Sequence, residues 1–256
     1  MRLSPLAPFG AETADTEPDA PVDSAALHAG LARHGVIVPR NMPIDDAGFV
    51  ALLCALGTLA FTAGETPVPG HPDLNIVTNA GRTTPPRSVF HTDTSYVAAP
   101  PAYTALRPVL LPRGGGATLF SDQVRAAATL PARWHDALIG RTACHAAMHA
   151  DGTRTAARHP LLCRYPRSDA VTLYLSTPER VTDIDGAADA AASARTIAAL
   201  YRHSIRAARL YPHEWRTGDV LIWDNRLTMH RADHSAVDGT RTLHRGLVAG
   251  TVPIPA

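Results

Sequence analysis

The sequence predicts a mainly β fold, a β-sandwich or jelly roll with flanking helices packed on its outside. Three observations indicate this fold. Short strand-like segments dominate the chain, helical patterns lie near the start and between strands without regular alternation, and no internal repeat is present. The chain has 256 residues, of which 45% are hydrophobic, so one large domain can bury a substantial core.

The first elements are predicted from composition and helix-capping residues. Residues 1–22 are rich in Pro, Ala and acidic side chains and predict an extended N-terminal arm, whereas residues 23–256 are expected to form a single domain. Asp23 or Ser24 can cap a first helix that ends at Gly35.

Two predicted strands flank a second helix. Residues 36–38 and 74–78 are rich in apolar and β-branched side chains, which favour strands. Asp45 or Asp46 can cap the helix between them. Its buried face is predicted from four apolar residues at helical spacing, namely Phe49, Leu52, Leu53 and Leu56.

The rest of the chain combines further strand candidates with two helical patterns. The helices are predicted at residues 122–140 and 194–207. Residues 142–160 give only a weak pattern and are expected to be a mobile or inserted segment. The strand-like segments are, in order, residues 103–111, 118–120, 171–175, 219–224, the region around His230 and residues 241–251.

Composition excludes several functional classes. A net charge of +1 argues against a nucleic-acid binder, and the absence of lysine excludes a Schiff-base or P-loop lysine. The chain has three cysteines, which are Cys54, Cys144 and Cys163. Their odd number and wide spacing favour a reduced, cytoplasmic protein over a disulfide-bonded one. The start lacks a signal-peptide pattern, and the longest apolar run, residues 50–61, is too short to span a bilayer, so no membrane partner is expected.

The motif His91-Thr92-Asp93 carries the clearest chemical signal. In a strand, residues two apart share a face, so His91 and Asp93 would lie side by side. His230 is a candidate third ligand. Two histidines and one carboxylate on one side of an iron ion leave the other coordination positions open, which indicates an oxygen-activating enzyme. A His-x-Asp motif alone also fits a polar surface strand.

The other histidines give weaker signals. His145 and His149 are four residues apart, but Ala146 follows the first, so the zinc-protease pattern H-E-x-x-H is absent. His244 alternates with Arg241 along a predicted strand and should point away from it.

Five sequence blocks resemble a known family. In chain order they are HTDTSYVAAPPA, GGGATLF, HPLLCRYPRSDAVTLYLS, WRTGDVLIWDNRLTMHRA and RTLHR. Together they resemble the taurine dioxygenase-like branch of the Fe(II)/2-oxoglutarate-dependent dioxygenases, from about residue 87 to the C-terminus. The resemblance implies a double-stranded β-helix, the jelly roll of the clavaminate synthase-like type.

The resemblance implies roles for the matching residues. His91, Asp93 and His230 match the iron ligands. Thr118 matches a threonine that binds the distal carboxylate of 2-oxoglutarate, and Arg241 matches the arginine that pairs with that carboxylate. A guanidinium suits this role because its fork of donors fits a carboxylate. The expected cofactor is Fe(II), and the expected cosubstrates are 2-oxoglutarate and O2.

The prime substrate is expected to contact Arg245, Arg87 and Thr94. Strand alternation allows Arg241 and Arg245 to enter one cavity, and the family counterpart of Arg245 often meets an anionic group of the substrate. The alternative for Arg245 is a surface salt bridge. Arg87 stands where the family frequently has Asn, and it either adds an anion contact or lies on the surface. Residues 61–70 lack the His and Tyr with which taurine dioxygenase holds its substrate, which argues against taurine.

Two further inferences concern the iron site. Trp223, Asp224 and Asn225 are expected to support the third ligand, His230, and to fix the orientation of its ring. The carboxylate of Asp93 indicates oxygen transfer, because halogenating members of the family have a small residue there.

The expected function is hydroxylation of an aliphatic C–H bond in a small anionic molecule, with release of succinate and CO2. The alternatives are desaturation, cyclisation or epimerisation on the same scaffold, or a non-catalytic jelly roll that binds a small acid. The expected partner is a small-molecule substrate, with neither nucleic acid nor membrane. A homo-oligomer is compatible with the family, whose members often pair or form tetramers.

Overall fold

The structure, a computed structural model, describes residues 2–13, 23–82 and 88–256. Within these ranges the strands begin with β1 (Leu3–Pro5), β2 (Ala11–Thr13), β3 (Val36–Pro39), β4 (Leu59–Ala60), β5 (Pro67–Val68), β6 (His71–Thr78), β7 (Tyr103–Leu110), β8 (Thr118–Asp122) and β9 (Thr142–Met148). They continue with β10 (Arg154–Pro160), β11 (Leu162–Arg164), β12 (Val171–Leu173), β13 (Val181–Ile184), β14 (Leu210–His213), β15 (Leu221–Asp224), β16 (Thr228–Ala232), β17 (Thr242–Val248) and β18 (Ile254–Pro255). The helices are α1 (Ser24–His34), α2 (Asp46–Leu56), α3 (Gln123–Ala128), α4 (Ala132–Leu138) and α5 (Ala190–Ser204), with a 3-10 turn at Ala207–Arg209.

The strands form one large sheet and three small ones. The large sheet has the order β1-β2-β3-β15-β7-β17-β6-β5, and β4 pairs with β17 beside this path. The small sheets have the orders β10-β9-β13, β12-β11-β18 and β14-β8-β16. The prediction of a mainly β fold with flanking helices is therefore confirmed.

The large sheet and the β14-β8-β16 sheet share an apolar core. Phe120 on β8 packs edge-on against Trp223 on β15, with ring centroids 5.2 Å apart. Tyr211 on β14 belongs to the same cluster as Leu221 and Leu243 of the large sheet. Two sheets that pack their inner faces together are the arrangement expected of a jelly roll.

Helix α2 packs closely on the large sheet. The Asp45 side chain accepts a hydrogen bond from the Gly48 amide, so Asp45 is the N-cap, and the Asp23 side chain caps α1 in the same way. A Cβ at Gly246 of β17 would lie 2.1 Å from the Leu53 side chain, so only glycine permits this approach. The contact packs α2 against β17, the strand that carries Arg245.

Two segments are more ordered than the sequence predicted. Within the predicted N-terminal arm, β1 pairs with β2 and β2 runs parallel to β3, so residues 3–13 join the large sheet, while residues 14–22 lie outside the described ranges. Residues 142–160, which gave only a weak pattern, contain the antiparallel pair β9 and β10.

The predicted helix at residues 122–140 is wrong as one element. It is divided into α3 and α4, because Pro131 lies between them and lacks the N–H that would continue a helix. Among the helices in the described ranges, none combines the length and apolar character needed to cross a bilayer.

Candidate active site

Three side chains from distant parts of the chain converge between the two facing sheets. His91, Asp93 and His230 each offer a ligand atom, and these atoms all lie within 4.8 Å of one another. Oδ1 of Asp93 lies 3.5 Å from Nε2 of His91 and 3.8 Å from Nε2 of His230. The structure thus brings together the three residues that the sequence predicts as metal ligands.

The backbone around His91 differs from the predicted strand. His91 forms one isolated antiparallel bridge to His230 on β16, in which each N–H donates to the other carbonyl oxygen at 2.9 Å. The chain then turns at Asp93, and Thr94 has a φ of 47°, which is rare for a β-branched residue. The prediction that His91 and Asp93 share one face of a strand is therefore wrong. A turn, rather than strand alternation, places the carboxylate beside the imidazole.

Hydrogen bonds to other elements hold this turn. The hydroxyl of Thr92 donates to the carbonyl oxygen of Leu175 at 2.7 Å. Nε2 of His159, on β10, lies 2.9 Å from the carbonyl oxygen of Ser95 and 3.1 Å from that of Val97. Backbone strain at a functional site persists only where neighbouring structure holds it, and these contacts do so here.

The three side chains are in the forms that bind metal. Nδ1 of His91 lies 3.0 Å from the carbonyl oxygen of Val89, so Nδ1 donates to this oxygen and Nε2 faces the other two ligands. Burial lowers the pKa of His230 to about 3, so this imidazole is neutral. Burial opposes ionisation of Asp93, but its interactions with His230 and His91 and the positive charge of Arg245 hold its pKa below the usual value. Two imidazoles and an ionised carboxylate are a ligand set that fits Fe(II).

A chain of buried hydrogen bonds supports the carboxylate ligand. The hydroxyl of Thr104 donates to Oδ2 of Asp93 at 2.7 Å, and Nδ2 of Asn225 donates to the Thr104 hydroxyl at 2.8 Å. Nε1 of Trp223 donates to Oδ1 of Asn225 at 3.1 Å. Asn225 therefore acts on Asp93, whereas the sequence predicted that it would support His230. Thr104 was not predicted, because only the pairing of β7 with β15 brings it to the site.

Of the other two predicted supporting residues, one contacts the third ligand and one does not. The Trp223 ring packs against His230, with centroids 4.5 Å apart. Asp224 instead accepts a hydrogen bond from the hydroxyl of Tyr165 at 2.8 Å and pairs with Arg226, so its role is structural.

Replacing Thr104 with valine should lower the affinity for metal by about 10- to 100-fold, the usual effect of losing an outer partner of a metal ligand. The variant keeps the shape of the side chain but removes the donor to Asp93. Equilibrium dialysis with Mn(II), a redox-stable probe, measures the effect. Thr172→Val is the matched control, because Thr172 is buried and its hydroxyl has no partner among the described residues. Equal metal affinity in both variants would refute this role for Thr104.

An open cavity of about 840 Å³ reaches the ligand cluster. Its walls come from the large sheet, from β8 and β16, and from the loop between β4 and β5. The polar residues lining it include His91, His230, Thr118, Arg241, Arg245 and Glu65. The cavity lining therefore contains three arginines, the two already named and Arg82, and one glutamate beside the candidate metal ligands.

Arg241 and Thr118 form a candidate binding site for a carboxylate. The buried Arg241 side chain donates from Nε to the carbonyl oxygen of Gly116 at 2.9 Å and from Nη2 to the Thr118 hydroxyl at 3.2 Å. Nε1 of Trp215 also donates to that hydroxyl, at 3.1 Å, so the Thr118 proton is free to bind an anion. No carboxylate in the described residues pairs with Arg241. Burial lowers its pKa to about 10, so it stays charged at neutral pH.

The three residues predicted to contact the prime substrate have different positions. Arg245 lines the cavity with Arg241, but it pairs with Glu65, with Nη2 and Oε1 3.2 Å apart. Thr94 lies in the turn after Asp93 and is not among the described residues that line the cavity. Arg87 falls outside the described residues.

The remaining histidines are not part of this ligand cluster. His145 lies on β9 and His149 directly follows this strand, so neither is on a helix, and the ring of the buried His145 packs 5.2 Å from that of His159. Nδ1 of His244 lies 2.7 Å from Oδ1 of Asp46 on α2, so His244 points away from the cavity as predicted.

Comparison with known proteins identifies the family of this chain. The model of the taurine catabolism dioxygenase TauD, TfdA family matches residues 2–247. An α-ketoglutarate-dependent sulfate ester dioxygenase of Pseudomonas putida is 29% identical over 96% of this chain and 88% of its own length. An α-ketoglutarate-dependent 2,4-dichlorophenoxyacetate dioxygenase of Burkholderia sp. (strain RASC) is 28% identical over 63% of this chain, and the match spans 58% of that relative's length.

A solved structure agrees with the fold. A taurine dioxygenase from Burkholderia xenovorans superposes with a TM-score of 0.87 and 27% identity, covering 99% of this chain and 92% of that one. The double-stranded β-helix prediction is thereby confirmed. The family uses Fe(II), 2-oxoglutarate and O2, which agrees with the predicted cofactor and cosubstrates and with the His-Asp-His cluster. The chain belongs to the TauD/TfdA family of dioxygenases, so the oxidoreductase class predicted from its sequence is confirmed.

Proposed function

We propose that this chain is a dioxygenase that hydroxylates an aliphatic C–H bond of a small substrate with an anionic group. One atom of O2 goes to the alcohol and the other to succinate, while 2-oxoglutarate loses CO2. The observation that carries the proposal is the buried guanidinium of Arg241, which has no carboxylate partner in the described chain and opens into the same cavity as the three candidate ligands. A dicarboxylate between this cation and a metal satisfies both.

The protein has two tasks in this reaction, to orient the reactants and to keep charges compensated. Fe(II) held by His91, Asp93 and His230 would supply the activation of O2 that an unreactive C–H bond requires. Arg241 and Thr118 bind the distal carboxylate of 2-oxoglutarate, which points the keto-acid end of this molecule at the metal site. Thr104 holds Asp93 in place, which supports the orientation of this ligand.

The experiment that tests this proposal starts without oxygen. Adding Fe(II) and then 2-oxoglutarate should produce a visible charge-transfer band, and a substrate screen in air should then show release of succinate. Product mass separates the reaction types, because hydroxylation adds one oxygen and desaturation or ring closure removes two hydrogens. A band without any substrate-stimulated succinate would favour the binding-protein alternative, and no band at all would overturn the proposal.

The setting of the protein is also proposed. Cys54, Cys144 and Cys163 are unpaired thiols, which supports a reduced, cytoplasmic environment. The partner we propose is a small molecule, and a homo-oligomer stays a prediction from the family resemblance.

A further inference from the structure

We infer that the prime substrate is a compact zwitterion of the amino-acid class, whose carboxylate binds Arg245 and whose ammonium group binds Glu65. The inference rests on the proposed function, because it concerns the part of the cavity that stays open to the substrate once the metal and 2-oxoglutarate are bound. It goes beyond a merely anionic substrate, since it requires both charges on one small molecule.

The first observation is the position of the pair. Arg245 is fixed on β17, and its Nη1 lies 4.0 Å from Oδ1 of Asp93, so its guanidinium borders the metal site. Nη2 of Arg245 lies 3.2 Å from Oε1 of Glu65. The Glu65 side chain is 40% exposed, against 15% for Arg245. The fixed cation is therefore the inner partner, and the glutamate is the outer one.

The second observation is that Glu65 lies in a solvent-exposed loop. It follows Gly64, which has a φ of +86° and no atoms within 4 Å of the place where a Cβ would be, in the loop between β4 and β5. A small rearrangement of this loop would open the ion pair. The carboxylate and ammonium groups of an α-amino acid are attached to one carbon, so they can insert between two side chains that now touch.

The third observation is the balance of charge. Fe(II) carries two positive charges and Asp93 one negative charge, so together they would leave one positive charge. The two carboxylates of 2-oxoglutarate and the cation of Arg241 would leave one negative charge. These two net charges cancel. The pair of Arg245 and Glu65 is neutral by itself. A zwitterion preserves this balance. A simple anion would bind Arg245 but leave the Glu65 carboxylate beside a like charge with no cation between them, which is unfavourable.

The rim of the cavity does not change this balance. Arg82 lines the rim, but its side chain is exposed and its Nε donates to the carbonyl oxygen of Thr78. Solvent and salt screen a charge in that position, so Arg82 does not replace the ammonium subsite at Glu65.

The fourth observation is a set of unpartnered polar atoms beside the pair. Asn75 on β6 lies opposite Arg245 in the antiparallel register, so both side chains share one face of the sheet. Asn75 is fully buried, and neither its amide oxygen nor its nitrogen has a partner among the described residues. Nε of Arg245 is also buried without one. Buried polar groups are normally satisfied, so the interior behind the pair keeps unused hydrogen-bonding capacity beside Arg245.

The test compares matched molecules with and without the amino group. The enzyme is loaded with Fe(II) and 2-oxoglutarate without oxygen and is offered proteinogenic L-amino acids beside their des-amino acids, such as leucine beside 4-methylpentanoate. Binding is read from the thermal unfolding midpoint and from a change in the visible band, and turnover in air from succinate release. At least one amino acid should bind, and its des-amino counterpart should bind at least about tenfold more weakly.

Variants assign the two charges. Glu65→Gln should lose about tenfold in affinity for the amino acid and gain affinity for the des-amino acid, because the repulsive carboxylate is gone. Arg245→Gln should weaken both. Glu12→Gln is the matched control, since Glu12 also pairs with an arginine, Arg40, but lies outside the residues that line the cavity.

The outcomes separate this inference from the proposed function. Equal or tighter binding of the des-amino acids to the wild-type enzyme would overturn the inference. So would a visible band with 2-oxoglutarate but no response to any amino acid, and in that case the proposed cosubstrate site would still stand. Failure of the band itself would instead overturn the proposed function.

Discussion

Replacing Asp93 with alanine is expected to abolish turnover of 2-oxoglutarate. Asp93 supplies the single carboxylate among the three candidate ligands, and its Oδ1 lies within 4 Å of both imidazoles. Loss of an outer partner of a metal ligand already costs about 10- to 100-fold in affinity, so loss of the ligand itself should exceed about 100-fold. Dialysis with Mn(II) and succinate release both measure the effect, and His91→Ala should behave in the same way.

The control for this variant is another aspartate. Asp183 is exposed and pairs with Arg158, so Asp183→Ala removes a carboxylate of the same size without touching the cavity. It should keep wild-type metal affinity, because exposed ion pairs contribute little. An Asp93→Ala protein that folds, binds Mn(II) normally and still forms succinate would show that Asp93 is not a ligand.

Replacing Arg241 with glutamine is expected to raise the KM for 2-oxoglutarate strongly. Removing one partner of a buried, hydrogen-bonded charge pair costs about 2–5 kcal/mol, or roughly 30- to 5,000-fold in affinity. The metal ligands are separate residues, so affinity for Mn(II) should stay unchanged. Steady-state kinetics of succinate release with varied 2-oxoglutarate, together with dialysis of the metal, separate these two effects.

Arg158→Gln is the matched control for Arg241→Gln. Arg158 is exposed and paired, whereas Arg241 is buried without a carboxylate partner among the described residues. The control should leave the KM for 2-oxoglutarate unchanged. If the Arg241 variant also kept its wild-type KM, another residue would have to bind the distal carboxylate. A parallel loss of metal affinity would show that the substitution had disturbed the whole site.

The candidate ligands were predictable although the local geometry was not. The residues His91, Asp93 and His230 follow from chemical type and from the family resemblance, which do not depend on exact backbone conformation. The predicted strand at Asp93 is a turn. Thr92 in this turn donates to the distant carbonyl oxygen of Leu175, and the distant His159 contacts the turn's own backbone. These contacts stabilise a conformation that the local sequence pattern does not favour. Short-range periodicity contains no information about such partners.

The helix caps show where local prediction works best. Asp23 and Asp45 cap their helices through contacts to amides three residues away, so the information lies within one turn of the chain. Residues 142–160 show the opposite case. Their strands β9 and β10 depend on pairing with each other and with β13, and no strong alternation in sequence marks them.

The sequence by itself determined the family, the mainly β class and the identities of the candidate metal and 2-oxoglutarate residues, because these depend on residue types in a fixed order. Only the tertiary structure decided that Thr104 supports Asp93, that Arg241 has no carboxylate partner in the described chain, and that Arg245 faces Glu65. The physical reason is that these contacts join residues far apart in the chain. The register of the sheet and the position of the loops set the distances between these residues. Neither can be predicted from a short stretch of sequence.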